Sequence, residues 1–99
     1  MAAHAFTAKV WLYPGDKAAW HFITVPKVLS QKIKKKHGAV ARGWGSLPVE
    51  AKIGKTVWKS SIFPDSKSGT YLLPIKASVR KSEGLFEGDS AKVGIAIHL

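Results

Sequence analysis

The densest run of charge in the sequence is a lysine cluster that could bind phosphate groups. Three consecutive lysines end a predicted helical segment, and an arginine and a glycine-flanked tryptophan follow on a loop. Cationic side chains can neutralise a phosphate backbone, and an exposed indole can stack on a base. The pattern therefore predicts a surface for nucleic acid or another polyanion. The residues of this predicted polyanion surface are Lys34, Lys35, Lys36, Arg42, Trp44, Lys55 and Lys59.

The same residues also have structural interpretations. Cations in the last turn of a helix complement its dipole, which is the favoured interpretation of the lysines taken alone. Trp44 could fold back and plug one end of the domain, because Gly43 and Gly45 permit a sharp bend. This packed position is the favoured interpretation of the tryptophan.

A second group of residues could hold a small anion. Trp58 and Ser60 share one face of a predicted strand, Trp11, Trp20 and Tyr71 supply further aromatic rings, and Arg80 lies on a predicted short helix. A guanidinium group beside aromatic and hydroxyl side chains can bind a carboxylate or a phosphate. In the favoured structural interpretation, Arg80 pairs with Glu83 or Asp89, or caps strand carbonyls, while the tryptophans fill the core.

No arrangement typical of an enzyme or a metal site is visible in the sequence. No serine lies in a glycine elbow, the four histidines are scattered, and the six acidic residues lie mostly in turns. The absence of cysteine removes thiolate nucleophiles and cysteine-based zinc sites. We therefore predict a non-enzymatic protein that uses neither a metal nor a cofactor.

The charge balance favours loose attraction of anions over the reading of a base sequence. Sixteen lysines and arginines face six acidic residues, which gives a net charge of +10. Only Arg42 and Arg80 are arginines, however, and arginine is the residue that reads bases and phosphates through paired hydrogen bonds. Polyanion binding is the function that the sequence favours, with the small-anion pocket as the alternative.

Length and hydropathy predict one domain over residues 1–99. No apolar run approaches the roughly 20 residues that a membrane-spanning helix needs. The first residues lack the features of a secretory signal, so we expect a cytoplasmic protein without membrane contact. Whether it is a monomer or a homodimer stays open.

Two halves of the sequence share one order of predicted elements. In each half a strand containing or ending at a proline (Pro26, Pro74) precedes a short helix that ends at a glycine (Gly38, Gly84), and another strand follows. The predicted fold is all-β with two short helices: a double-split β-barrel of six to seven strands in two pseudo-symmetric halves. A split barrel can leave open edges, so a third candidate function is protein interaction through an exposed edge of the last strand.

Alternation of apolar and polar residues gives the predicted elements. Strands are predicted at residues 5–13, 20–25, 49–53, 56–63, 71–75 and 92–99. Gly54 and Lys55 form the turn between two of them, and residues 64–69 form a polar loop. Leu85 and Phe86 are expected to pack inward.

Spaced motifs along nearly the whole chain resemble a known family. They are Phe6-x-Ala8 with Trp11, Trp20-x-Phe22-x-x-x-Pro26, Gly43-Trp-Gly-Ser46-x-Pro48-Val49, Thr56-x-Trp58-x-Ser60-x-x-Phe63-Pro64, Tyr71-Leu-Leu-Pro74-x-Lys76, Val79-Arg80-Lys81 and Glu87-Gly-Asp89. Together they resemble DUF1905, a bacterial and archaeal family of domains of unknown function. The resemblance implies a double-split barrel similar to those of AbrB and MazE, and no agreed activity. Because the chain has so few arginines, no DNA-contacting residue is carried over from AbrB.

Overall fold

The computed structural model describes residues 3–15 and 20–98, which form six strands and two α-helices. Their bounds are β1 Ala3–Leu12, β2 His21–Thr24, α1 Lys27–His37, β3 Leu47–Ile53, β4 Thr56–Asp65, β5 Thr70–Pro74, α2 Ala77–Glu83 and β6 Ser90–Ile97. Two 3₁₀ turns, Gly38–Val40 and Gly43–Gly45, lie between α1 and β3. Within the described chain no helix is both long enough and apolar enough to cross a bilayer.

The six strands close an antiparallel barrel in the order β1-β2-β5-β4-β3-β6, which confirms the predicted fold class. Two long strands each belong to two sheets. Residues 3–9 of β1 pair with β6, and residues 10–12 pair with β2. Residues 56–62 of β4 pair with β3, and residues 63–65 pair with β5. The barrel therefore consists of two four-stranded sheets that share β1 and β4.

The prediction of an open edge along the last strand is wrong. Strand β6 pairs with β1 on one side and with β3 on the other. Every strand of the described chain has two neighbours in the barrel. The described strands therefore offer no unpaired edge for a partner, which removes the basis for edge pairing.

Strands β1, β2 and β3 correspond to β4, β5 and β6, because exchanging the two sets leaves every pair of neighbouring strands in the barrel unchanged. Matching hydrogen bonds join the halves: the Val25 amide donates to the Tyr71 carbonyl (2.9 Å), and the Ile75 amide donates to the His21 carbonyl (2.8 Å). These bonds make Val25 and Ile75 counterparts, and His21 and Tyr71 likewise. The pairing supports the predicted two-half plan at the level of strand order.

The prolines that suggested the repeat are not themselves counterparts. Pro26 immediately precedes α1, where its missing amide donor costs nothing, and Lys76 occupies the same place before α2. Pro74 instead lies inside β5. The two glycines differ as well, since Gly38 is right-handed (φ −58°) and Gly84 is left-handed (φ +63°).

The core fills the barrel with alternate strand residues and is sealed by one side chain from each helix, Ile33 and Val79. In β3, for example, every second residue is buried, as the pleat of a strand requires. The buried apolar residues are Val10, Ile23, Val25, Ile33, Leu47, Val49, Ala51, Ile53, Trp58, Ile62, Tyr71, Leu73, Ile75, Val79, Ala91, Val93, Ile95 and Ile97.

Several predicted boundaries move because pairing extends beyond the apolar alternation. Strand β3 begins at Leu47, which pairs with Ile62, and β4 continues to Asp65, which pairs with Thr70. The last strand begins two residues earlier than predicted, at Ser90, and ends at Ile97; residue 99 lies outside the described residues.

The prediction that Phe86 packs inward is wrong, because its side chain is 72% exposed. Phe86 belongs to a tight turn in which its amide donates to Asp89 Oδ2 (2.8 Å) and the Asp89 amide donates to its carbonyl (3.0 Å). Only Leu85 packs against the core.

Candidate functional site

A cavity of about 350 Å³ lies between β2, β4, β5 and the start of α2. Its lining residues are Trp20, His21, Trp58, Lys59, Ser60, Pro74, Ile75, Lys76, Ala77 and Arg80. The volume falls within the range of about 300–1,000 Å³ that is typical of small-molecule sites. The structure thus brings together Trp58, Ser60 and Arg80, the three residues predicted from the sequence to hold a small anion.

The strand pleat explains how two of these residues reach the cavity. Trp58 and Ser60 are two apart on β4 and therefore point to the same side of the sheet. Trp58 is buried and lies opposite the small residue Ala51 of β3, which leaves room for the indole. Ser60 is half-buried, so its hydroxyl lies at the boundary between the core and the cavity.

Arg80 is held in place by a backbone carbonyl. Its Nε donates a hydrogen bond to the carbonyl oxygen of Ile75, the residue that follows β5 (3.2 Å). Among the described residues, the terminal Nη groups of Arg80 have no protein partner. The guanidinium group is therefore oriented by the protein while its two terminal nitrogens can donate to a ligand.

Of the alternatives considered for Arg80, the capping of a strand carbonyl is confirmed and pairing with an acid is wrong. Glu83 accepts a hydrogen bond from Thr56 Oγ1 (2.6 Å). Asp89 is bound to the Phe86 amide in the turn before β6. Both carboxylates are therefore engaged elsewhere in the fold.

The cavity has a positive lining. Lys59, Lys76 and Arg80 line it together with His21, and no acidic side chain is among the described lining residues. A concave site with charges of one sign raises the local concentration of ligands of the opposite sign. The arrangement is suited to an anion with an apolar part, because Trp20 and Trp58 also contribute walls.

The counterpart of Arg80 in the first half is Ser30, and the corresponding space is filled. Ser30 is 1% exposed, and its Oγ donates to the Val25 carbonyl (3.0 Å) and accepts from the Tyr71 amide (3.0 Å). Tyr71 itself is buried, and this burial raises the pKa of its phenol. The first half therefore closes the place that the second half leaves open.

The predicted plugging of the barrel by Trp44 is wrong: its side chain is 95% exposed. The indole projects from a compact turn in which the Arg42 amide donates to the Ser46 carbonyl (2.8 Å) and the Gly45 amide donates to the Arg42 carbonyl (2.9 Å). Trp44 has a left-handed backbone (φ 64°), which is rare for a bulky residue. The turn thus holds the indole in solvent.

The lysines of the predicted polyanion surface lie in three regions of the fold. Lys34, Lys35 and Lys36 are exposed on the last turn of α1. Lys59 instead lines the Arg80 cavity. Lys55 is exposed in the β3–β4 turn beside Gly54, where a side chain would collide with the Glu83 carboxylate of α2.

Of the further aromatics predicted beside the anion site, Trp20 lines the cavity, whereas Trp11 and Tyr71 are not among its lining residues. His21 and Lys76 line it without having been predicted. The internal repeat is the signal that could have found them: His21 is the counterpart of the buried Tyr71, and Lys76 is the counterpart of Pro26. Within residues 3–15 and 20–98 no group of three potential metal ligands lies together.

Fold and cavity define the class of the protein: a small antiparallel β-barrel with a cation-lined cavity beside its second helix. A family model described as a domain of unknown function (DUF1905) matches residues 6–95, and the chain belongs to this family. The resemblance read from the spaced motifs is thereby confirmed. No curated protein matches the chain.

Proposed function

We propose that this protein is a non-enzymatic binding protein that holds a small anionic ligand in the cavity beside α2. The observation that carries the proposal is the state of Arg80. Its Nε is fixed on the Ile75 carbonyl, and its terminal nitrogens have no partner among the described residues. An arginine in this state, in a cavity without acidic lining, is suited to a phosphate or carboxylate group.

The other lining residues have supporting roles in this proposal. Lys59 and Lys76 add positive charge, and the Ser60 hydroxyl, which donates only a long hydrogen bond to the Ser61 carbonyl (3.5 Å), can turn to donate to the ligand. Trp58 provides an apolar wall that keeps water away from one side of the ligand. Reduced solvation strengthens the attraction between the guanidinium group and the anion.

Calorimetric titration with phenyl phosphate and with benzoate tests this function directly. We expect Arg80→Ala to weaken binding about 10- to 100-fold, because a hydrogen bond to a charged group is worth about 1.5–3 kcal/mol. Arg42→Ala is the matched control, since it removes the other arginine, which is exposed on a loop. Equal affinities for wild type and Arg80→Ala would exclude the cavity as the anion site.

A second candidate function is polyanion binding, and the exposed Trp44 favours it. An indole held in solvent by a rigid left-handed turn, two residues after the exposed Arg42, is suited to stacking on an unpaired base. The exposed lysines 34–36 could contact the phosphates of the same strand.

Fluorescence anisotropy with labelled single-stranded RNA and DNA, titrated from about 50 to 200 mM salt, tests the second candidate. Backbone contacts predict affinity that falls steeply with salt and with the double change Lys35→Glu and Lys36→Glu. Trp44→Ala should weaken the same binding without changing its salt dependence. Unchanged affinity in both variants would mean that these residues do not form a nucleic-acid site and that any binding reflects only the overall net charge.

We also propose kinship with the AbrB and MazE barrels. The supporting observation is the strand order, which is preserved when the two halves are exchanged. Superposition of each half, in an experimental structure, on a swapped-hairpin half-barrel tests the relationship. A different strand connection in that structure would remove it.

A further inference from the structure

The outer side of the β1–β2 hairpin carries four aromatic side chains in mutual contact. Phe22 lies at the centre, with ring centroids 5.3 Å from Trp11, 5.9 Å from Tyr13 and 6.2 Å from Trp20. The Trp20 and Phe22 rings are nearly parallel, at 13°. Trp20 is 56% exposed and Tyr13 is 50% exposed, so the barrel core does not account for them. We call these four residues the aromatic shelf.

Hydrogen bonds fix the shelf on both strands. Trp11 Nε1 donates to Thr24 Oγ1 (2.9 Å), which ties the indole of β1 to β2. The Tyr13 amide donates to the Trp20 carbonyl (2.8 Å) at the end of the hairpin. A ligand that stacks on Trp20 would therefore meet a ring whose surroundings are already ordered, which lowers the entropic cost of binding.

Trp20 joins the shelf to the cavity of the proposed function. It lines the 350 Å³ cavity that contains Arg80, and it also lines a second groove of about 290 Å³ with Tyr13 and Phe22. An anion held by Arg80 could thus carry a flat group that reaches the Trp20 indole. The two features share Trp20 in their linings, with cationic side chains in the cavity and aromatic rings in the groove.

We propose, on the basis of the proposed function, that the ligand is a nucleoside monophosphate: its phosphate binds Arg80, and its base stacks on Trp20. A flat ring suits an exposed indole, and every base has the required face. A sugar phosphate alone suits the site less well, because it has no flat ring to place against the Trp20 indole. The same chemistry occurs in a free mononucleotide and at the phosphorylated end of an oligonucleotide.

Calorimetric titration of the whole chain with AMP, ribose 5-phosphate and adenosine separates the two ends of the site. We expect AMP to bind about 5- to 150-fold more tightly than ribose 5-phosphate, the range expected for one stacked base. Arg80→Ala should bring the affinity for AMP down to that for adenosine. Trp20→Leu should abolish the preference for AMP, and Trp20→Phe should keep part of it.

Phe63→Leu is the matched control, because it removes an exposed aromatic ring outside the cavity lining and should leave the preference intact. Circular dichroism of each variant verifies folding. If AMP and ribose 5-phosphate bind equally, and both depend on Arg80, the nucleotide inference is wrong while anion binding stands. If no probe depends on Arg80, both proposals fail.

Trinucleotides with and without a 5′-phosphate identify the source of the ligand. Tighter binding of the phosphorylated trinucleotide than of AMP, reduced by Lys35→Glu with Lys36→Glu, supports the proposal with an oligonucleotide end as ligand. Equal affinity for AMP and that trinucleotide supports it with a free nucleotide as ligand. Equal binding of both trinucleotides would overturn the proposal, because the terminal phosphate would then have no role at Arg80.

Discussion

The two half-barrels have the same strand connections but differ in what lies between helix and barrel. Beneath α1, the buried Ser30 side chain bridges the Val25 carbonyl and the Tyr71 amide. Beneath α2, the Arg80 side chain stands at the corresponding place, donates to the Ile75 carbonyl, and lines a cavity. Because a serine is sufficient to complete the fold at this place, the arginine and the cavity need an explanation other than folding.

The two helices also differ in how they are attached to the barrel. Ile33 of α1 is buried in the core. At the corresponding position of α2, Glu83 accepts a hydrogen bond from Thr56 on β4. At this position the first helix is therefore fixed by apolar burial and the second by a hydrogen bond, although Val79 of α2 is also buried in the core. The two helices thus differ in one of the contacts that attach them to the barrel.

The largest expected effect is the loss of the apolar contact beneath α1. Ile33→Ala should lower the free energy of unfolding by about 2–5 kcal/mol, because it removes buried methyl groups and leaves a cavity. Glu83→Ala should cost only about 1 kcal/mol, the net value of a hydrogen bond. Urea denaturation of both variants measures the difference. Equal losses would mean that the helices are attached with equal strength.

The second comparison replaces each of the counterparts Ser30 and Arg80 with alanine. Ser30→Ala should lower the free energy of unfolding by about 1–3 kcal/mol, because it leaves buried backbone groups without a partner. Arg80→Ala should cost about 0.5–1.5 kcal/mol, since it removes one partly buried hydrogen bond. Urea denaturation again gives both values. A larger loss for Arg80→Ala would indicate that the arginine is needed for folding.

The third comparison uses the glycines after the two helices. Gly84→Ala should destabilise the protein by about 1–2 kcal/mol, because alanine must then adopt the left-handed backbone. Gly38→Ala should stabilise it by about 0.4–1 kcal/mol, because Gly38 is right-handed and alanine restricts the unfolded chain. Thermal unfolding of both variants measures the shifts. Shifts of the same sign would show that the helix ends are alike.

Much of the fold could be predicted because strand periodicity and turn residues are local signals. Alternating residues mark β3 and β6, and Gly54 marks the turn between β3 and β4. Closure of the barrel was predicted from the repeated order of elements in the two halves and not from local periodicity. It depends on the pairing of β6 with both β1 and β3, and such long-range pairing leaves no local pattern.

The candidate site was predictable only in part. Trp58 and Ser60 could be grouped because they are two apart on one strand, and Arg80 stood out as one of two arginines. His21 and Lys76 come from other elements, and only the closed barrel brings them to the same cavity. The exposure of Trp44 was missed because glycine-flanked turns are compatible with either direction of the side chain.

The smallest expected effect is a dependence of stability on acidic pH that arises from His4 in the first half. His4 pairs with Ile95 beneath α1, and its counterpart Thr56 pairs with Ile53 beneath α2. Within the described chain, His4 Nε2 is buried without a hydrogen-bond partner. Burial lowers the pKa of His4 from 6.5, and the nearby charges of Lys36, His37 and Lys32 lower it further.

Because the pKa of His4 is lower in the folded than in the unfolded state, the unfolded state binds more protons between the two values. The contribution of His4 is therefore fully present above pH 6.5 and decreases as the pH falls below this value. His4→Thr, which copies the counterpart in the second half, should flatten the decline of the melting temperature between about pH 7 and pH 5. Identical declines in wild type and variant would mean that His4 stays neutral on unfolding or is solvated in the fold. In that case, titratable groups other than His4 would account for the loss of stability at acidic pH.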